Sequence, residues 1–401
     1  MPQPVPRKVK ERNPEFGQDK YTTLLIDGSN ILELSCKAVK ETSSAGLEVG
    51  GLFEFLLQLK LMLQKGNFRH VYVFWDGENS GQLRYNLYSG YKANRDKDFD
   101  EAGLSDYMKE VNARVRNMQR YFNSKKQRAA GQVGEDGLTN EERRRIEKES
   151  FFKQRDTVME CLEEMFVRQC LCDMTEADDF IGYYVTHKEP GERIVIMSND
   201  RDLTQLISED VIVYVQSLKQ FLTAKNHREL MGYDYRNVLL KKIICGDASD
   251  NIKGVKGVGE KTLFDNFPEI KDRKVELMEV VRKADFINVE RVRKKMKPLK
   301  WAENLANGVT DGMQGDKLFD INRKIIDLKN PLMTDEAVET ISGMMHQPLD
   351  PTDRTVENLY KILCEKGPDQ FKDENRFASF FSDFSQIRQN EMKFSSKNFA
   401  G

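Results

Sequence analysis

Thr175-Glu176-Ala177-Asp178-Asp179-Phe180 sets three carboxylates within four residues at the head of an apolar helical run. Further on, Ile194-Val195-Ile196-Met197 reads as a short strand and runs into Ser198-Asn199-Asp200-Arg201-Asp202-Leu203, with two more acids one residue apart. Carboxylates this dense repel one another, and enclosing them is costly unless they stay solvated or share a cation. Oxygen donors of this kind suit hard divalent ions such as Mg²⁺ and Mn²⁺. Glu176, Asp178 and Asp179 have an equally simple structural explanation: Thr175 caps a helix whose first turn favours acids. That explanation does not extend to Asp200 and Asp202 at a strand end.

The same arrangement recurs upstream. Tyr21 to Ile26 is a β-rich run ending at Asp27-Gly28-Ser29-Asn30, and Val71-Tyr72-Val73-Phe74-Trp75 ends at Asp76-Gly77. Helical spacing lies between them, from Gly51 to Met62, and again from Glu141 to Cys170, where Phe151, Val158, Leu162 and Phe166 mark one apolar face. Apolar strands alternating with helices predict an α/β fold, a mostly parallel central sheet flanked by helices. In such sheets ligands bind at the carboxyl ends of the strands, where Asp27, Asp76 and Asp200 would meet. One strand-end aspartate is usually a turn former. Three with the same placement, joined by an acidic helix start, point to one site.

Basic residues collect elsewhere. Arg84-Tyr85-Asn86-Leu87-Tyr88-Ser89-Gly90-Tyr91-Lys92-Ala93-Asn94-Arg95 interleaves aromatic and basic side chains, a composition that can stack bases and meet phosphates, or simply form a surface helix. Lys109 to Arg128 holds seven Lys/Arg and one acid, and six of the ten residues Arg291–Lys300 are basic. Either run also fits a solvated helix face. A net charge of −2 conceals this division into acidic motifs and basic flanks, which suits a polyanion held over metal ions. After an apolar run from Leu239 come Gly246-Asp247-Ala248-Ser249-Asp250-Asn251 and then a glycine hairpin with Gly254, Gly257 and Gly259 ahead of Glu260-Lys261-Thr262. Backbone N–H groups opening a helix beside Lys261 form a phosphate cradle, although interhelical turns use glycine for other reasons too.

At 401 residues, 39% hydrophobic and 32% charged, the chain has the composition of a soluble globular protein with room for two or three domains. No stretch approaches the roughly 18 apolar residues of a membrane span, and no signal-peptide pattern opens the chain. Six cysteines without a Cys-x-x-Cys pair suit reduced thiols and a cytoplasmic setting. The four histidines lack ligand spacing, which argues against zinc and against histidine-activated nucleophiles. Residues 1–20, rich in proline and basic residues, predict a disordered arm. Ser124 to Asn140, with three glycines and no apolar period, predicts a mobile loop, and residues 385–401 a polar, frayed end. Leu203–Ile207 reads as helix and Val211–Val215 as strand. Ile321–Leu328 and Val356–Leu363 read as packed helices without a chemical motif.

Taken together in this order, the motifs around Asp27, Asp76, Tyr91–Arg95, Glu176–Asp179, Ser198–Leu203 and Gly246–Asn251 resemble those of the flap endonuclease/5′-to-3′ exonuclease family, most closely its phage ribonuclease H branch. The resemblance runs from about Tyr21 to Phe267 and is faint beyond about Lys271. It implies a PIN-like nuclease domain over residues 21–238, a helical arch at about 82–155, a helix-hairpin-helix DNA-binding element at 239–270 and a helical C-terminal region at 271–401. It implies carboxylates around two Mg²⁺ ions, with Mn²⁺ as a substitute, at Asp27, Asp76, Glu176, Asp178, Asp179, Asp200, Asp202, Asp247 and Asp250, and K⁺ at the hairpin. Lys92 and Arg95 would be catalytic, at the base of the arch. Arg84, Tyr88, Tyr91, Lys92, Arg95, Gly254, Gly257, Gly259, Lys261 and Thr262 would contact nucleic acid. The insertion between Asp76 and Glu176 is longer than in compact members, which leaves the shape of the arch open.

The implied activity is hydrolysis of phosphodiesters near 5′ ends of flaps, nicks or RNA primers on RNA–DNA hybrids, in replication and repair. Two metals roughly 3.5–4 Å apart would activate water and stabilise the leaving oxygen. Implied partners are such DNA and, in replication, a single-strand-binding protein or sliding clamp, in a host cytoplasm if the chain is phage-encoded. Two other readings stand beside this one. A non-catalytic structure-specific DNA-binding protein gains nothing from nine clustered acids, and a PIN-type ribonuclease leaves the glycine hairpin unexplained.

Overall fold

Five-residue segments such as Thr23–Asp27 and His70–Phe74 are buried along their whole length, as expected of interior strands covered on both faces. The computed structural model describes residues 23–93, 138–311, 313, 315–345, 347–350 and 354–398. Its main sheet contains β1 (Thr23–Asp27), β2 (His70–Phe74), β3 (Arg168–Cys170), β4 (Ile194–Met197), β5 (Val211–Val215) and β6 (Gln220–Leu222), in the order β3-β2-β1-β4-β5-β6. All neighbours are parallel except β5 and β6. Leu25 lies opposite both Tyr72 and Ile196, so β1, β2 and β4 end level with one another and their following aspartates face one edge.

Alternate strand residues feed two cores. Leu24, Ile26, Val71 and Val73 pack beneath α1 (Gly28–Ala38), α2 (Gly50–Leu63) and α4 (Asn140–Glu164). Leu25, Tyr72, Phe74 and Ile196 pack against α5 (Ala177–Thr186) and α12 (Asp335–Met344). The short α3 (Gln82–Leu87) lies between these layers in sequence, and α6 (His227–Met231) follows β6. A third core joins α7 (Val238–Cys245), α8 (Glu260–Asn266), α9 (Leu277–Arg293), α10 (Lys300–Ala306) and α11 (Asp316–Ile326). The C-terminal α13 (Val356–Lys366), α14 (Glu374–Phe381) and α15 (Ser385–Asn398) return to the first core through Phe371, Phe377, Phe381 and Phe384.

Two local expectations change. Helical spacing continued to Cys170, but α4 ends at Glu164, Phe166 takes a left-handed φ of +62°, and Arg168–Cys170 pairs with β2. Tertiary pairing overrides periodicity there, because Arg168 meets Glu391 Oε2 at 2.8 Å on α15. Leu203–Ile207 forms a 3₁₀ turn over Arg201–Leu206 rather than an α-helix. The predicted N-terminal arm and nearly all of the Ser124–Asn140 loop lie outside the described residues. No helix among the described residues is long and apolar enough to cross a membrane, and the six cysteines carry free thiols.

Candidate active site

Short polar residues after each strand tie the acidic edge together. Asp27 closes β1 and caps α1: its Oδ1 accepts from the Asn30 amide at 3.1 Å, and its Oδ2 from the Ser198 hydroxyl at 2.8 Å. Ser198 Oγ also accepts from the Asp200 amide at 2.9 Å, and Ser29 Oγ accepts from the Asp76 amide at 2.8 Å. Asn30 Oδ1 accepts from the Asn199 amide at 3.0 Å. Asp76 Oδ1 reaches across to the Ala177 amide at 2.9 Å and so seats the start of α5 against β2. Asp200 Oδ1 accepts from the Asp202 amide at 2.8 Å. The glycines beside Asp27 and Asp76 are steric requirements. A Cβ on Gly28 would lie 2.6 Å from Val73 Cγ1, and one on Gly77 only 1.7 Å from the Cys172 carbonyl oxygen.

The electrostatics identify which acids share a neighbourhood. Burial, then Asp76 and Asp200, push Asp27 up to about 7. Burial raises Asp178 well above the carboxylate range, reinforced by Asp200, Asp27, Glu176 and Asp202. Asp202 rises to about 6 through burial and Asp200, against the opposing pull of Lys242. Burial works the same way on Asp247, but there Lys242 and Ser249 prevail and hold it at about 2. Lys242, on α7, contacts Asp202 Oδ1 and lies 2.6 Å from Asp247 Oδ2, so it joins the sheet's acids to those before the hairpin. The Asp250 amide is 3.4 Å from Asp247 Oδ1, and the Asp250 carbonyl accepts from the Lys92 amide at 2.8 Å.

On the opposite side three side chains converge on Glu176. Arg84 Nη1 donates at 2.7 Å, the Tyr91 hydroxyl at 2.8 Å, and Lys92 Nζ contacts Oε1. Arg84 also grips Asp179 through both oxygens, at 2.6 and 2.8 Å, and donates from Nε to the Ile325 carbonyl at 2.8 Å. Arg84 and Tyr91, expected at a nucleic-acid surface, are 5% and 3% exposed and engaged inside the protein. Asp179, fully buried and bidentate to Arg84, also accepts from the Leu332 amide at 3.2 Å. Tyr88 is half-buried, with its hydroxyl 3.4 Å from the Asn251 carbonyl. Arg95 and the basic segment Lys109–Arg128 lie outside the described residues.

Among the described residues no three of His, Cys, Asp and Glu are drawn close enough to form a finished metal cage. The chemistry of the donors nevertheless suits a hard divalent ion. They are carboxylate oxygens alone, and Asp27, Asp178 and Asp202 are held above their ordinary range by burial and neighbouring carboxylates, a repulsion that a cation relieves. Beside Asp76 opens a cleft of about 910 Å³ between α1, the Gly77–Ser80 turn and α4, its walls mixing Lys37, Lys40, Arg144, Lys148 and Arg155 with Glu33, Glu48, Glu78 and Glu147, and Phe152 among them. In the hairpin, Val255 and Val258 are buried anchors, Gly257 turns at φ +82°, and Gly259 and Lys261 stand exposed at the start of α8. Sequence reasoning passed over Lys242, whose one signal is a lysine placed inside the apolar run Leu239–Cys245, five residues before Asp247.

Residues 137–232 match a family described as the 5′-3′ exonuclease N-terminal resolvase-like domain. The chain is 28% identical over 251 residues to a 5′-3′ exonuclease of Halalkalibacterium halodurans, spanning 60% of this chain and 67% of that one. It is 27% identical over 254 residues to DNA polymerase I of Streptococcus pneumoniae, covering 61% of this chain but 23% of the polymerase. The fold is shared with a bacteriophage T5 flap endonuclease solved as a pseudo-enzyme–product complex with DNA and metal ions, at TM-score 0.52 and 18% identity over 85% of this chain and 98% of that one. A T5 5′-exonuclease with bound zinc ions gives TM-score 0.50 and 16% identity, over 91% and 99%. Sheet order and these likenesses give the chain the fold of the 5′ nucleases it resembles. The sequence likenesses, to that domain over residues 137–232 and to a 5′-3′ exonuclease at 28% identity, point the same way.

Proposed function

We propose that this chain is a metal-dependent, structure-specific 5′ nuclease that hydrolyses phosphodiesters near the 5′ ends of flaps, nicks or RNA primers. The observation that carries the proposal is the meeting of Asp27, Asp76, Asp178, Asp200 and Asp202 at three level strand ends and the start of α5, where burial and neighbouring carboxylates raise the proton affinity of Asp27, Asp178 and Asp202. These five, with Glu176, Asp247 and Asp250 beside them, would hold two Mg²⁺ ions, for which Mn²⁺ substitutes. When bound, such ions supply Lewis acidity at the phosphate and an activated water.

The chain's own groups do the positioning. Lys92 Nζ, seated on Glu176, is placed to turn toward a phosphate oxygen and offset its growing charge. Its left-handed φ of +50° is held by the bond from its amide to Asp250. Lys242 fixes Asp202 and Asp247 in one arrangement. The cleft beside Asp76, where Arg144, Lys148, Arg155 and Phe152 of α4 line one wall, would give an unpaired strand a path away from the strand-end acids. The hairpin at Gly254–Thr262 would grip duplex through its backbone, with K⁺ at its carbonyls, without reading sequence. Digestion of a 5′-labelled flap, a nicked duplex and an RNA–DNA hybrid tests this. Short 5′ products in Mg²⁺ and none in EDTA are expected. Cutting that persists in EDTA, or binding with no cutting of any substrate, overturns it.

A further inference from the structure

Helix α9 has apolar residues on two faces. Its inner face carries Val280 and Ala284, both buried in the third core. On its outer face Met278, Phe286, Val289 and Val292 are 53, 59, 40 and 57% exposed, and Met296, just past the helix end, is 46% exposed. At 3.6 residues per turn these four helical positions fall within about 120° of one another, and Phe286, Val289 and Val292 follow one another along that arc as a stripe. Single exposed hydrophobics are ordinary, but a stacked stripe of this length marks an interaction surface. Its C-terminal end is basic. Arg282 and Asp285 lie within the same arc and offset each other, Glu279 at its edge pairs with Arg273 at 2.8 Å, and the exposed Lys294, Lys295 and Lys297 flank Met296 in sequence. Arg293, paired with Glu290 at 2.7 Å, adds no net charge.

We infer that this face docks an acidic amphipathic segment of another protein, one whose apolar residues recur at helical spacing and whose flanks carry Asp or Glu. Charge and shape favour that occupant over two others. Nucleic acid could satisfy the lysines, but Phe286, Val289 and Val292 at the centre offer phosphate no donor and would strip its water without return. A second copy would pair the stripe with itself about a two-fold axis. Run antiparallel, that contact brings Arg282 of one copy onto the Val292–Lys295 end of the other, base against base. An acidic partner meets the apolar centre and the basic end at once.

The test is a selection of displayed random peptides on the full chain, with counter-selection on Phe286→Glu. Enriched peptides should be acidic, with apolar residues three and four apart. Their affinity should fall roughly tenfold or more in Phe286→Ser and in Arg282→Glu/Lys295→Glu, while cleavage of nicked duplex and the circular dichroism spectrum stay unchanged. Enrichment that ignores Phe286, enrichment of basic or aperiodic peptides, or no enrichment overturns the inference. So does a dimer in sedimentation that Phe286→Glu dissolves, which assigns the face to a second copy. Loss of duplex DNA affinity in Phe286→Ser would assign it to nucleic acid.

Discussion

Replacing Arg84 with alanine separates a buried latch from a phosphate contact. Arg84 makes two bonds to Asp179, one to Glu176 and one to the Ile325 carbonyl, all between 2.6 and 2.8 Å, and is 5% exposed. Without it Glu176 keeps Tyr91 and Lys92, but Asp179 keeps only the Leu332 amide at 3.2 Å. Breaking a buried ion pair from one side typically costs about 3–5 kcal/mol, because the abandoned charge stays desolvated. Arg84→Ala should therefore lose stability of that order in urea denaturation at unchanged m-value. Adding Asp179→Asn should restore roughly 1–3 kcal/mol by replacing a stranded charge with a neutral amide. The salt dependence of DNA binding should keep its slope, since no phosphate contact is lost. A stability change below about 1 kcal/mol, together with a slope reduced by about one unit, would refute the latch.

Lys261→Ala should weaken binding evenly across DNA sequences and lower the salt slope by about one unit, and a sequence-dependent loss would mean that Lys261 reads bases. Gly77→Ala forces a methyl to within 1.7 Å of the Cys172 carbonyl, so it should destabilise by about 1–3 kcal/mol or more and displace Asp76, lowering cleavage with it; wild-type melting and activity would show that the turn yields freely. Glu391 supplies a pH prediction. Burial would raise it, but His70 at 2.8 Å and Arg168 hold it below the ordinary range. A depressed folded-state value contributes stability above the unfolded value of about 4.3, lost as pH falls through the folded value. Glu391→Gln should thus flatten the acid limb of stability against pH, and superimposable acid limbs would show that the triad contributes nothing there.

The sheet and its acidic edge were legible because the signals are local: an apolar run, then Asp-Gly or Ser-Asn-Asp, gives strand, end and chemistry in ten residues. Ser198 and Ser29 belong to those motifs, although the bonds by which Ser198 donates to Asp27 and Ser29 accepts from Asp76, joining three strands, emerge only from the parallel register. The inward partners of Arg84 were not legible because they lie 92 and 95 residues away. Nothing in an aromatic-basic stretch distinguishes an arginine turned inward from one turned to solvent. Lys242 is the same case on an apolar helix. The short β3 was hidden under helical spacing because its pairing with β2 and the bond from Arg168 to Glu391 are long-range. The C-terminal helices carry no chemical motif, yet their aromatic residues complete the first core and Glu391 binds the sheet's edge.

Cleavage and binding by Asp76→Asn and Asp200→Asn, measured on the same labelled 5′-flap substrate, test the central claim most directly. Each change removes one negative oxygen from the strand-end cluster while keeping the shape of the side chain and an acceptor for Ala177 or Asp202. Carboxylates repel phosphate until cations neutralise them, so affinity in Ca²⁺ should stay within a few fold of wild type or tighten, while cleavage in Mg²⁺ disappears. Turnover above about a tenth of wild type in both variants would contradict the assignment of these acids as the catalytic metal site.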